Sequence, residues 1–218
     1  MTGFLYPFLD AEERDQDSLL ADLAASALAK ARESAALRQA SLDACAESLA
    51  TAATEMASRL ADGGRIFAFG NGGSSTDATT LATLFAHPPH DADARSLPAW
   101  SLTADQAVLT ALGNDLGFEH VFARQLIARG RTGDIAIAMS TSGSSRDLTA
   151  AFKQAKRQGM YTVGFAGYGG GEFAENGDVD VCFVVRSQSV HRIQESQALL
   201  GYHLWVAVHE HLAEQGEH

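Results

Sequence analysis

Five short apolar runs lie between Arg65 and Val185, and segments of helical length separate most of them. They are RIFAFG (Arg65–Gly70), SLPAWSLT (Ser96–Thr103), DIAIAMS (Asp134–Ser140), YTVGFAG (Tyr161–Gly167) and DVCFVV (Asp180–Val185). Helices are expected over Thr76–Phe85, Phe118–Arg129 and Asp147–Gln158, with a closing helix from Arg192 to about Leu212. Strands buried on both faces read as continuous apolar runs, and parallel neighbours need crossover connections, which helices supply. The alternation specifies an α/β chain: a parallel sheet with helices on both faces.

The chain ahead of Arg65 has a different texture. From about Asp15 to Ala61 it contains neither Gly nor Pro, and Leu42, Cys45, Leu49, Ala53, Met56 and Leu60 recur at helical steps of three or four. The reading is two helices breaking near Gln39–Ser41, with Gly63-Gly64 ending the second. Leu19, Leu20, Leu23 and Leu28 give the first an apolar stripe with no domain of its own to bury it, so it is expected to pack across a neighbouring subunit or over the main body. The domain division is thus a tail and helical hairpin over 1–62, serving oligomerisation, and a main domain over 63–218.

Composition narrows the function. Of 218 residues, 27 are Asp or Glu and 16 are Lys or Arg, a net charge of −11. General nucleic-acid binding needs a basic surface, so no direct nucleic-acid partner is expected. Any phosphate must be held by local groups. Cys45 and Cys182 make no disulfide framework, which fits a reducing interior. The opening MTGFLYPFLDAEERD lacks the basic start and long apolar stretch of a signal peptide, and no run reaches the length of a membrane span. A cytoplasmic protein without membrane contact is expected.

In a parallel α/β sheet, ligands bind beyond the carboxyl ends of the strands. Two loops there are unusual. GNGGSSTD (Gly70–Asp77) follows the first run, and its glycines let the backbone approach a ligand closely. STSGSSRD (Ser140–Asp147) follows the third and packs four serines and Thr141 into one turn. Ser74 with Asp77, and Ser144 with Asp147, have capping-box spacing. Two helix N-termini fronted by hydroxyls and free N–H groups make an anion cradle that needs no lysine, suited to a phosphate monoester. The sequence has no G-x-x-x-x-G-K-[ST], which excludes a P-loop. GNGGSS starts like a dinucleotide fingerprint but has Ser75 where the third glycine belongs.

The order GNGGSS…D, LGNDLGFEHVFARQL, GDIAIAMSTSGSS and RIQE resembles the sugar isomerase (SIS) domain of the phosphoheptose isomerase family, from roughly Ser18 to the C-terminus. The resemblance implies a three-layer α/β sandwich around a five-stranded parallel sheet, a homotetramer with sites at subunit interfaces, and sedoheptulose 7-phosphate as the substrate of the isomerase members. It gives Asn71, Gly72, Gly73 and Ser74 a place lining the substrate site, and the phosphate to Ser140, Thr141, Ser142 and Ser145. Asn114 and Asp115 would contact sugar hydroxyls, and Gln194 would reach the reacting end of the sugar. Without the resemblance, Asn114-Asp115 reads as a turn and Gln194 as a solvated helix residue.

The departures are as specific. Isomerase members carry a metal-binding His and Glu four apart on the helix after the glycine loop; these positions are Thr80 and Leu84. A second family His falls at Tyr202, with His203 one step further. Leucine cannot bind a metal or take a proton, and threonine is a poor zinc ligand. No cofactor is therefore expected. Aldose–ketose isomerisation needs a base and an acid or metal. Among the remaining titratable groups, Glu195 and His203 are the candidates for catalysis. His87 and His90, with Asp91 and Asp93, admit a metal-site or a surface reading. Glu119, His120 and His191 are further candidates, whereas His209 and His211 read as solvated. The leading expectation is a sugar-phosphate-binding SIS protein without the family's metal-assisted chemistry. One alternative is an active isomerase with relocated acid–base groups. Another, by analogy with a replication-initiator-associating branch of the relatives, is a regulatory SIS protein.

Overall fold

The computed structural model describes residues 16–90 and 92–216. Five strands, β1 (Ile66–Gly70), β2 (Ala99–Ser101), β3 (Ile135–Met139), β4 (Tyr161–Gly167) and β5 (Val181–Val185), form one sheet in the order β2-β1-β3-β4-β5. Every pairing is parallel. Each strand lies inside one of the five apolar runs. The helices are α1 (Gln16–Ala61), α2 (Gly73–Ala86), α3 (Gln106–Leu116), α4 (Val121–Arg129), α5 (Arg146–Arg157), α6 (Gly171–Glu175) and α7 (Val190–Gly216), with a 3-10 turn at Phe118–His120 leading into α4.

Alternation along the strands builds two cores. Ile66, Ala68, Ile135, Ile137 and Met139 face a cluster that includes Met56 of α1, Leu81 and Phe85 of α2, and Leu200 and Leu204 of α7. Their neighbours Phe67, Phe69, Ala136 and Ala138 face Phe122 and Leu126 of α4, Leu148 and Phe152 of α5, and Phe173 of α6. Helices cover both faces, as the continuous apolar runs require.

The predicted break near Gln39–Ser41 is absent: α1 is one helix of 46 residues. The Ser41 hydroxyl donates to the Leu37 carbonyl and Gln39 donates to Asp43, both four residues away, so both side chains bond within the helix instead of interrupting it. There is no hairpin. The compact units divide between Ala36 and Leu37, not at 62: the segment from Leu37 onward belongs to the sheet-bearing body, with Cys45, Leu49, Ala53 and Met56 buried in its core. In the 16–36 segment Leu20, Leu23 and Leu28 are exposed. The predicted tail lies mostly outside the described residues.

At the N-terminal edge of the sheet, Asp134 is fully buried. Its carboxylate accepts from the Arg65 backbone N–H at 2.9 Å, from Arg65 Nη2 at 2.7 Å and from the Arg131 backbone N–H at 2.9 Å. It thereby joins the starts of β1 and β3. Asp134→Ala would leave a partly buried guanidinium and two amides without their acceptor, and the expected loss is about 3 kcal/mol. Urea unfolding should show the midpoint fall with an unchanged slope.

Candidate functional site

β1 and β3 are neighbours, with Gly70 in register with Met139. From β1 the chain crosses to β2 on one side, and from β3 it crosses to β4 on the other. This reversal of strand order opens a crevice at the carboxyl ends of the two strands. Both unusual loops lie there.

The glycine loop is shaped by steric demands. A Cβ on Gly70 would lie 2.7 Å from both the Met139 and the Ser74 carbonyl oxygens, and Gly72 has φ +55. Glycine meets both demands without strain. Gly72 is the N-cap of α2 and provides no side chain, so α2 begins at Gly73 and Ser74 is buried within its first turn. The predicted Ser74–Asp77 capping box is therefore not formed. The Ser75 N–H turns back to the Gly72 carbonyl at 3.1 Å, whereas the N–H groups of Gly73 and Ser74, the first two of α2, have no intrahelical acceptor and lie at the crevice end of the sheet.

The serine loop is held from three directions. Ser140 Oγ accepts from the Gly143 N–H at 3.0 Å. The turn after β4 donates to the Thr141 carbonyl from Gly167, to the Gly143 carbonyl from Phe173, and to Ser144 Oγ from Glu172. On the α7 side, Gln197 Nε2 donates to the Ser140 carbonyl at 2.7 Å. Ser145 is the N-cap of α5, but its hydroxyl makes no capping bond. The Ser144–Asp147 capping box is also not formed, because Ser144 is tied to the turn after β4. Asp147 instead accepts from Asn71 Nδ2 at 2.8 Å, joining the two loops across 76 residues of sequence.

Gln194 meets the glycine loop: a Cβ added to Gly73 would run into its side-chain amide. The structure therefore brings together Asn71, Gly72, Gly73, Ser74, Ser140–Ser145 and Gln194. Asn114 and Asp115 form the last turn of α3 instead of a turn before a helix; both are exposed, and Asn114 Nδ2 donates to Asp115 Oδ1. Glu195 and His203 are exposed, and among the described residues no hydrogen bond or ion pair joins either to the loops. Tyr202 is exposed and packs against the rings of His203 and Trp205.

The positions that the resemblance pairs with the metal ligands carry no donor set. Thr80 donates its hydroxyl to the Thr76 carbonyl, and Leu84 packs against the apolar core. Among the described residues, no group of three or more His, Cys, Asp and Glu side chains is placed to hold an ion. His87 and His90 are exposed beyond the far end of α2, about 20 Å from its start at 1.5 Å per residue. Asp91 lies outside the described residues, and Asp93 is exposed. His120 pairs with Glu119 at 3.1 Å on the surface, and His191 is exposed.

The expectation that His209 and His211 are solvated is corrected. His209 is buried against Phe85 and Trp205, and its ring nitrogens lie 2.9 and 3.0 Å from the Trp205 and Arg95 carbonyls. His211 is half-buried, 3.1 Å from Thr54 Oγ1 of α1. Both follow from α7 continuing to Gly216 along the core. Three roles at the site escaped the sequence reading: Asp147 as the clamp instead of a cap, Gln197 under the serine loop, and Asp77 as a carboxyl with a buried, unpartnered oxygen instead of a cap. Burial raises the Asp77 carboxyl above the ordinary carboxylate range.

Comparison with known proteins agrees with this architecture. The SIS domain family matches residues 31–167. The chain is 39% identical over 184 residues to the phosphoheptose isomerase of Aquifex aeolicus, covering 84% of this chain and 95% of that protein. The chain belongs to the SIS-domain proteins of the phosphoheptose isomerase family. Among solved structures, the phosphoheptose isomerase of Neisseria gonorrhoeae superposes with a TM-score of 0.78 at 35% identity, over 85% of this chain and 98% of that one. That of Francisella tularensis gives 0.77 at 30%, over 85% and 97%.

The Asn71–Asp147 bond is the one side-chain link found between the two SIS loops among the described residues. Asn71→Ala and Asp147→Ala are each expected to lower stability by about 1.5–3 kcal/mol, the range for a hydrogen bond to a charged group. The double variant should cost no more than about the larger single change, which a double-mutant cycle by denaturant unfolding measures.

Proposed function

We propose that this SIS protein binds a phosphorylated sugar in the β1/β3 crevice and does not carry out metal-assisted isomerisation. One observation carries the binding reading: a serine loop already fixed by the turn after β4 and by Gln197 stands beside an uncapped α2 N-terminus, with Asn71–Asp147 joining the two. Hydroxyls and amides arranged in advance of the ligand bind an oxyanion without reorganising, and they do so without the positive charge this acidic chain lacks. Ser142, Ser145 and Thr141 face the phosphate in this reading, Ser140 braces the loop from within, and Gln194 meets the sugar over Gly73. Asn114 and Asp115 reach sugar hydroxyls of a site completed by a second subunit. An oligomer, a tetramer by family likeness, also gives the exposed Leu20, Leu23 and Leu28 something to cover them.

The absence of metal chemistry is supported by the donor set. A threonine hydroxyl bonded within its own helix and a leucine in the core offer neither a ligand nor a base. The relatives named phosphoheptose isomerase support a second reading, in which Glu195 or His203, brought in by assembly, replaces the missing base. Titration calorimetry and a product assay with sedoheptulose 7-phosphate separate the two. The expected outcome is binding without aldose product, a purified protein with well under one zinc per chain, and about five- to tenfold weaker binding in Ser142→Ala and in Ser145→Ala. Product formation abolished by Glu195→Gln would establish the second reading. Unchanged affinity in both serine variants would remove the phosphate site itself.

A further inference from the structure

Among the described residues four buried side-chain atoms have no hydrogen-bond partner: Asp77 Oδ2 on α2, and Ser196 Oγ, Gln197 Oε1 and Trp205 Nε1 on α7; Asp77 Oδ2 and Gln197 Oε1 are the two acceptors without a proton of their own. The helices run side by side, with Gly73 against the Gln194 side chain, Leu81 against Gly201, and the Phe85 ring over His209. Asp77 is one turn from both Gly73 and Leu81. Gln197 lies between Gln194 and Gly201. Spacings of three and four keep a helical stripe on one face, which places Asp77 and Gln197 on the facing sides of the two helices. A carboxylate and an amide oxygen are both acceptors and cannot bond each other, whereas a carboxylic acid has an O–H to donate. Flipping the Gln197 amide does not help, because its Nε2 is engaged by the Ser140 carbonyl at 2.7 Å.

We propose that Asp77 is kept as the carboxylic acid and donates a hydrogen bond to Gln197 Oε1, which makes it a positioning residue for the serine loop. Asp77 fixes Gln197, and Gln197 fixes the carbonyl of Ser140. The effect on ligand rests on the sugar-phosphate reading above; the hydrogen bond itself does not. Burial raises the Asp77 carboxyl, and no charged neighbour contributes to that rise. The strands packed against α2 carry no titratable residue within β1, β2 or β3; α7 carries His191, Arg192, Glu195 and His203 nearby. A neutral Asp77 also removes one negative charge from beside the anion site. With the folded-state value raised, the bond is complete below the ordinary carboxylate range. Its contribution to stability is lost as pH rises from there through the raised value.

The direct test is a carbon NMR titration of the Asp77 carboxyl in the ligand-free protein, in the wild type and in Gln197→Met. Asp77 is expected to titrate above the other aspartates, and its midpoint should fall in Gln197→Met because the acid loses its acceptor. A midpoint within the ordinary range, or one unmoved by Gln197→Met, overturns the hydrogen bond. The positioning role is read by calorimetry with sedoheptulose 7-phosphate at two pH values, one below and one above the Asp77 midpoint found in that titration. Asp77→Asn donates at every pH, so its affinity relative to wild type should rise by about threefold or more between the two values. A constant ratio overturns the positioning role. A wild type that does not bind sedoheptulose 7-phosphate at either pH defeats the sugar-phosphate reading instead, while the titration still decides the bond.

Discussion

The divergence of the chain at the ends of β1 and β3 is the constraint from which the rest of the site follows. Parallel strands must be joined by crossovers, and in the order β2-β1-β3-β4-β5 the crossovers leaving β1 and β3 go opposite ways. No connecting segment can then cover the carboxyl ends of this pair. Two helix N-termini are left facing one crevice, with unbonded N–H groups that water or an anion must satisfy. The loop residues act on that given. Gly70 and Gly72 bring α2 close to the strand, and the Asn71–Asp147 bond stops the two helix starts from moving apart.

Much of this was legible in the sequence, for identifiable reasons. Strands buried on both faces show up as unbroken apolar runs, and five runs gave five strands. The hydroxyl-rich loop is an unusual cluster whatever the fold. What failed was local punctuation. A serine at position 41 looks like a helix stop but satisfies itself on the Leu37 carbonyl. α3 was hidden because it buries no residue fully and carries Gly113 in its interior. Both capping boxes had the right spacing, yet a glycine began α2 early and Glu172 drew Ser144 away from α5. Groups engaged across long stretches of sequence, such as Asp147 with Asn71 and Gln197 with Ser140, leave no local pattern to read.

The substitutions at Thr80 and Leu84 separate two properties that the family likeness presents together. Gripping a phosphate needs donors held in place, and those donors sit on loops anchored to the sheet ends. Moving a proton between sugar carbons needs a base and a centre that steadies the enediolate, and the resemblance puts those on one face of α2. That face can change without disturbing the loops, because Leu84 packs into the core and Thr80 bonds within its own turn. The proposed loss of the chemistry therefore need not cost the fold or the proposed grip.

In the proposed reading, an acidic chain that binds an anion must also deal with its own carboxylates near the site. Asp147 stands at the start of α5, where it accepts from the Asn71 amide and is directed at the clamp. Asp77, deeper in α2, has no such donor and is neutralised more easily than paired, since burial penalises the ion and leaves the acid untouched. The two carboxyls thus have different surroundings within one site: Asp147 accepts from Asn71, and Asp77 Oδ2 is buried without a partner. In the proposed arrangement each adds a hydrogen bond to the scaffold: an acceptor for Asn71 in the first case, a donor for Gln197 in the second.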